Sequence, residues 1–95
     1  MSEVINHAVD ALSAKLSGSF DGSAKFVIEG EGAIMLDGDG VRAGDEEADV
    51  TLTADTDTFR SLLDGDLNPT SAFMSGKLSV DGDMGTAMKL GGVLG

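Results

Sequence analysis

Carboxylates are the commonest reactive side chains in this chain: twelve Asp and five Glu, against a single histidine and no cysteine or tyrosine. Two converging acids could run general acid–base chemistry if their environments pushed their pKa values apart. No spacing singles out such a pair among the seventeen. His7 stands alone, and at about 100° per helical residue it falls roughly 140° from the centre of the apolar face around it, on the solvent side. An isolated imidazole with no thiol, phenol or second histidine beside it is a poor catalyst. Serine chemistry would need a base nearby, and neither Ser-x-x-Lys nor Gly-x-Ser-x-Gly occurs.

Two metal- or phosphate-type spacings fail on context. Asp64-x-Asp66-x-Asn68 opens like a calcium loop, but Pro69 stands where that loop needs glycine, and Ser75 where it needs a bidentate acid. Gly38-x-Gly40-x-x-Ala43 has the letters of a dinucleotide fingerprint. That motif works only between a strand and a helix, so that phosphate meets a helix N-terminus; here it lies between two strand patterns. The expectation is a non-catalytic protein with no metal and no cofactor.

Charge narrows the partners. The 95 residues carry a net charge of −11, with only Lys15, Lys25, Arg42, Arg60, Lys77 and Lys89 as cations. Phosphate contacts need Lys and Arg, and base stacking needs aromatics, of which the chain has four, all Phe. Nucleic acid is therefore excluded as a partner. Anionic membranes repel such a surface on average, which leaves at most transient membrane contact. The acids read as a solvated, self-repelling surface or as adaptation to salt. The first 20 residues lack a basic n-region and an apolar run, and no stretch is long enough to span a bilayer. The expected compartment is the cytoplasm, and the length fits one domain, residues 1–95.

The elements that must position any site follow from periodicity. Residues 2–17 read as a helix with Ser2 as N-cap and Gly18 as C-terminal cap; Val4, Ile5, Ala8, Val9, Leu12 and Leu16 share one face. Beyond Asp21-Gly22 the period drops to two. Ala24, Phe26 and Ile28 mark a strand, Glu31 to Leu36 a second, Val41 to Ala43 a third and Ala48 to Ala54 a fourth. Asp37-Gly38-Asp39-Gly40 predicts a hairpin with a primed turn. Asp55 or Thr56 caps a helix bearing Phe59, Leu62 and Leu63, closed by Gly65. Asn68-Pro69 starts a short helix through Phe73 and Met74 to Gly76. Lys77 to Asp81 is a fifth strand, and Asp83 caps a last helix carrying Met84, Ala87, Met88 and Leu90. The tail from Gly91 to Gly95 is expected to be mobile unless it packs. This order makes an α+β fold: a five-stranded, mostly antiparallel sheet with helices packed on one face.

One stripe stands out. Phe73, Met74, Met84, Met88, Leu90, Val93 and Leu94 are adaptable apolar residues at helical spacing in the last third of the chain. They serve either as ordinary core or as a pocket for flexible hydrocarbon, since Met suits both. Composition does not separate the two.

The run Asn68-Pro69-Thr70-Ser71-Ala72-Phe73-Met74-Ser75-Gly76-Lys77-Leu78-Ser79-Val80-Asp81-Gly82-Asp83-Met84, followed by Ala87-Met88-Lys89-Leu90, resembles the signature of the sterol carrier protein type-two domain family. Upstream, Ala48-Asp49-Val50-Thr51-Leu52-Thr53 leading into the helix of Phe59 fits as well, so the resemblance covers essentially the whole chain. It implies a sheet and helices enclosing a hydrophobic tunnel for fatty acyl chains, acyl-CoA, sterol-like or other lipids. It implies intracellular carriage of those ligands rather than catalysis. Transferred residue by residue, the lipid-binding lining is Leu62, Phe73, Met74, Leu78, Met84, Met88 and Leu90, with Val93 and Leu94 near an entrance. Arg60, Lys77 and Lys89 are the cations nearest in sequence for a carboxylate head group. The alternatives are an accessory module that presents a lipid or isoprenoid substrate to a partner enzyme, or a structural homodimerisation domain without ligand.

Overall fold

A computed structural model describes residues 3–16 and 20–94, the side chains of Val93 and Leu94 excepted. The expected caps at Ser2 and Gly18, and the terminal Gly95, lie outside the described residues. In chain order the elements are α1 (Glu3–Lys15), β1 (Ala24–Ile28), β2 (Gly32–Asp37), β3 (Gly40–Ala43), β4 (Val50–Ala54), α2 (Thr56–Asp64), α3 (Pro69–Met74), β5 (Ser79–Gly82) and α4 (Met84–Leu94). The strands form one open sheet in the order β3-β2-β1-β4-β5. β1 pairs parallel with β4, and every other pairing is antiparallel.

Alternation along the strands decides the two faces. Ala24, Phe26 and Ile28 of β1, Ile34 and Leu36 of β2, and Val50, Leu52 and Ala54 of β4 point inward. They meet Ile5, Ala8 and Leu12 of α1, Phe59, Leu62 and Leu63 of α2, Ala72 of α3 and Leu90 of α4 in a single apolar cluster. Phe26 and Phe59 pack edge to face, with ring centroids 5.2 Å apart, a geometry that suits their opposed quadrupoles. The outer face carries Lys25, Arg42, Thr51 and Thr53, all partly exposed. Met35 is the exception, buried on that polar side at 2% exposure. The strap after β3 supplies its cover: Asp45 binds Lys25 at 2.8 Å and Glu46 binds Arg42 at 3.3 Å. A Cβ at Gly44 would stand only 3.3 Å from Met35 Cγ, so the strap lies close.

Two details depart from the periodicity reading. The β2–β3 hairpin pairs Asp37 with Gly40, yet neither Gly38 nor Asp39 takes a positive φ; Gly40 does, at 118°. The primed turn expected from Asp-Gly is therefore replaced by a turn whose closing glycine absorbs the twist. Asp37 supports it by accepting from the Asp39 N–H at 2.9 Å and from Arg42 at 3.1 Å. That backbone bond first, and Arg42 after it, holds the Asp37 carboxyl below its ordinary pKa. The second departure is α4, which continues through Gly91 and Gly92 to Leu94 instead of ending in a mobile tail.

Candidate functional site

The site is built where α3, β5 and α4 follow one another. Asn68 caps α3, its Oδ1 accepting from the N–H groups of Thr70 at 2.8 Å and Ser71 at 3.3 Å, with Pro69 in the first helical position. After α3 the chain turns sharply, because Lys77 N and Leu78 N both donate to the Ala72 carbonyl, at 2.9 and 3.1 Å. That turn drives Leu78 into the core at 3% exposure. β5 then runs antiparallel to β4, with Val80 opposite Leu52. α4 is anchored at its start: Asp83 N donates to the Asp49 carbonyl at 2.8 Å. The Asp83 carboxylate accepts from both the hydroxyl and the N–H of the buried Thr86, at 2.6 and 3.1 Å.

α3 and α4 stand apart over the β4–β5 edge and leave an apolar groove of about 390 Å³. Its floor is Leu52, Leu78 and Val80; one wall is Pro69 and Phe73, and the other is Met84, Ala87, Met88 and Gly91. Among the described residues, Asn68 and Thr70 are its only polar lining. The volume falls within the range of small-molecule sites, roughly 300–1,000 Å³. Phe73, Met84 and Met88 are 44%, 53% and 76% exposed. Where the resemblance implies an enclosed tunnel, this structure has a groove open to solvent along its Met and Phe walls.

Of the residues assigned to the lining from sequence, the groove gathers Phe73, Leu78, Met84 and Met88. Leu62 and Leu90 are fully buried in the core cluster and do not reach it. Met74 is 81% exposed and lies outside the lining. The side chains of Val93 and Leu94 lie outside the description, although both residues continue α4. Leu52, Val80, Ala87 and Gly91 line the groove without having been assigned from sequence. Their signal was available: Ala87 and Gly91 follow Met84 at helical i, i+3 and i, i+7 spacing, and Val80 alternates with Leu78.

None of the three candidate head-group cations enters the lining. Lys89 binds Asp21 at 3.1 Å. The positive charge of Lys77 acts on Asp55. Arg60 borders a different crevice, between α1 and α2, of only about 20 Å³ with His7 at its edge, room for about one water. Among the described residues no three His, Cys, Asp or Glu side chains gather as a metal site. Among them, too, no helix is long and apolar enough to cross a membrane.

The helix-capping acids make the frame of the groove sensitive to acid. Asp55 caps α2 through the Thr58 N–H at 2.7 Å. Thr58 lowers the Asp55 pKa, and the Thr86 hydroxyl and N–H lower that of Asp83. Protons therefore bind the unfolded chain first. The stabilisation from these caps is complete above about pH 4, the ordinary Asp range, and is lost as pH falls through the lowered values. The Asp55→Asn/Asp83→Asn double variant should consequently lose less melting temperature between pH 5 and pH 3 than the parent. An equal loss in thermal melts would contradict this role.

The SCP-2 sterol transfer family model matches residues 4–95. The chain belongs to that family. It is 39% identical to hydroxysteroid dehydrogenase-like protein 2 of Danio rerio over 95% of its own length, and spans 24% of that relative. Against sterol carrier protein 2 of Homo sapiens it is 50% identical over 46 residues, which is 48% of this chain and 8% of the human protein. Its fold superposes on the solution structure of sterol carrier protein 2 from Aedes aegypti in complex with palmitate, with a TM-score of 0.78 at 21% identity. That match covers 99% of this chain and 96% of the other. The chain thus has the SCP-2 fold over nearly its whole length and corresponds to about a quarter of its Danio relative.

Proposed function

We propose that this chain is a single lipid-binding domain that holds the hydrocarbon part of fatty acyl, sterol-like or related lipids in the groove between α3 and α4. It carries or presents them and does no chemistry on them. The observation behind this reading is a cavity of about 390 Å³ whose lining has no titratable side chain and whose walls are half-exposed Met and Phe. Large apolar residues left in water in one contiguous concave patch mark a binding surface. The palmitate complex of the Aedes aegypti protein supports the same reading.

The energetics suit a carrier. Burying roughly ten to fifteen methylenes of a long chain gains about 8–12 kcal/mol, and association and ordering remove about 4 kcal/mol of it. The remainder places affinity between millimolar and micromolar, tight enough to load and weak enough to release. Ligand at about a hundred times its Kd stabilises a native state by about 2.7 kcal/mol. In a domain of this size that raises the melting temperature by on the order of 10 °C. Long-chain lipids should produce this shift and short-chain analogues should not; no shift with any long-chain lipid would remove the proposal. Native mass spectrometry of freshly purified protein adds a second readout, since co-purified lipid supports carriage and a lipid-free dimer supports a dimerisation domain.

A second reading, presentation of a lipid substrate to an enzyme, is favoured by one specific observation. The Danio relative is about four times longer than this domain and is named for a dehydrogenase. Recovery of a stable partner enzyme with the tagged chain would support it.

A further inference from the structure

Resting on the lipid-binding reading, the geometry points to a site that selects lipids with an uncharged head group, such as long-chain alcohols and esters, over fatty acids and acyl-CoA. Every side chain lining the groove is uncharged. Four charged residues adjoin lining residues in sequence: Lys77 beside Leu78, Asp81 beside Val80, Asp83 beside Met84, and Lys89 beside Met88. Lys89 is already answered by Asp21 at 3.1 Å, and neither Lys77 nor Lys89 lines the groove. An incoming carboxylate or phosphate would have to break the Lys89–Asp21 pair, draw Lys77 in from outside the lining, or stay unpaired. It would do so on a chain whose net charge is −11, which itself repels anions. The polar groups the groove does offer are neutral. The Asn68 carbonyl oxygen is committed to the α3 cap, which leaves its NH₂ group and the Thr70 hydroxyl to hydrogen-bond a hydroxyl or ester oxygen.

Surface potentials of several kT separate neutral from anionic ligands by about tenfold. Displacement of a neutral fluorescent lipid by hexadecanol, palmitate and palmitoyl-CoA, each below its aggregation concentration, tests this. At low salt hexadecanol should bind about tenfold more tightly than either anion, and the gap should narrow as salt screens the field. Thr70→Lys supplies the missing cation at an exposed position whose own N–H still meets the cap. It should raise palmitate affinity and, because the Thr70 hydroxyl is lost, weaken hexadecanol, so the preference reverses. Palmitate binding as tightly as hexadecanol at low salt would overturn the selectivity and leave the groove standing. A Thr70→Lys variant that moves both ligands equally, or neither, would also overturn it. If none of the three compounds displaces the probe, the lipid-binding reading itself fails.

Discussion

Gly82→Ala is expected to cost roughly 3–5 kcal/mol, a large share of the 5–15 kcal/mol that holds a small domain together. Two effects add. Gly82 has φ at 118°, where a side chain introduces strain of about 1–3 kcal/mol. A Cβ there would also run into the Asp49 carbonyl oxygen and stand 2.9 Å from Val50 Cα. Both obstacles are backbone of the neighbouring strand and cannot swing aside, so overpacking contributes a further 1–3 kcal/mol or so. The position is where β5 pairs with β4 and where Asp83 ties α4 to Asp49, so groove and stability should fail together. Gly30→Ala is the control: its φ is 81°, but nothing lies within 4 Å of an added Cβ, and only about 1 kcal/mol should be lost. Urea titrations of the two variants decide it. Equal midpoints would show that the close approach at Gly82 carries no energy.

Ala87→Phe should weaken lipid binding about ten- to hundredfold without unfolding the protein. Ala87 is partly buried on α4, packed against the core and facing the groove. A phenyl ring there occupies the space that a ligand chain needs. Displacing it, or binding around it, carries the 1–3 kcal/mol typical of overpacking, which is about ten- to hundredfold in affinity. In the ligand-free protein the ring fills open volume, so the melting temperature should hold or rise. The signature is a split result, with lipid titrations shifted by that factor and thermal stability preserved. Wild-type affinity in the variant would place the ligand elsewhere on the molecule.

Much of this architecture was readable because local chemistry and global packing agree. Ala24, Phe26 and Ile28 alternate and are buried in that order; Asp55, Asn68 and Asp83 cap the helices their side-chain chemistry suits. The hairpin type was less readable, since Asp37-Gly38 and Asp39-Gly40 present two overlapping turn signals and the twist settled on the second glycine. α4 was underestimated because glycine pairs disfavour helix, whereas the contact of Leu90 with the core holds this one in place. For the site, periodicity shows that Leu62, Phe73, Met84 and Leu90 are apolar, not which of them meets a neighbour and which meets a gap. That division depends on how far apart α3 and α4 stand, a distance set by the turn onto the Ala72 carbonyl and by the Asp83–Asp49 tie. Neither tie has a sequence pattern of its own.

The parallel pairing of β1 with β4 also governs how the chain assembles. Ala24 meets Val50 only after 26 positions of intervening chain have looped back, whereas the hairpin of β2 with β3 closes over a few residues. Distant pairings form slowly because the closure entropy must be met before contacts repay it. During synthesis, therefore, β1, at the edge of the β1–β2–β3 meander, waits with a bare hydrogen-bonding flank until β4 emerges. That interval is when the polypeptide is most open to mispairing with another copy of itself, and its dense negative charge keeps such copies apart.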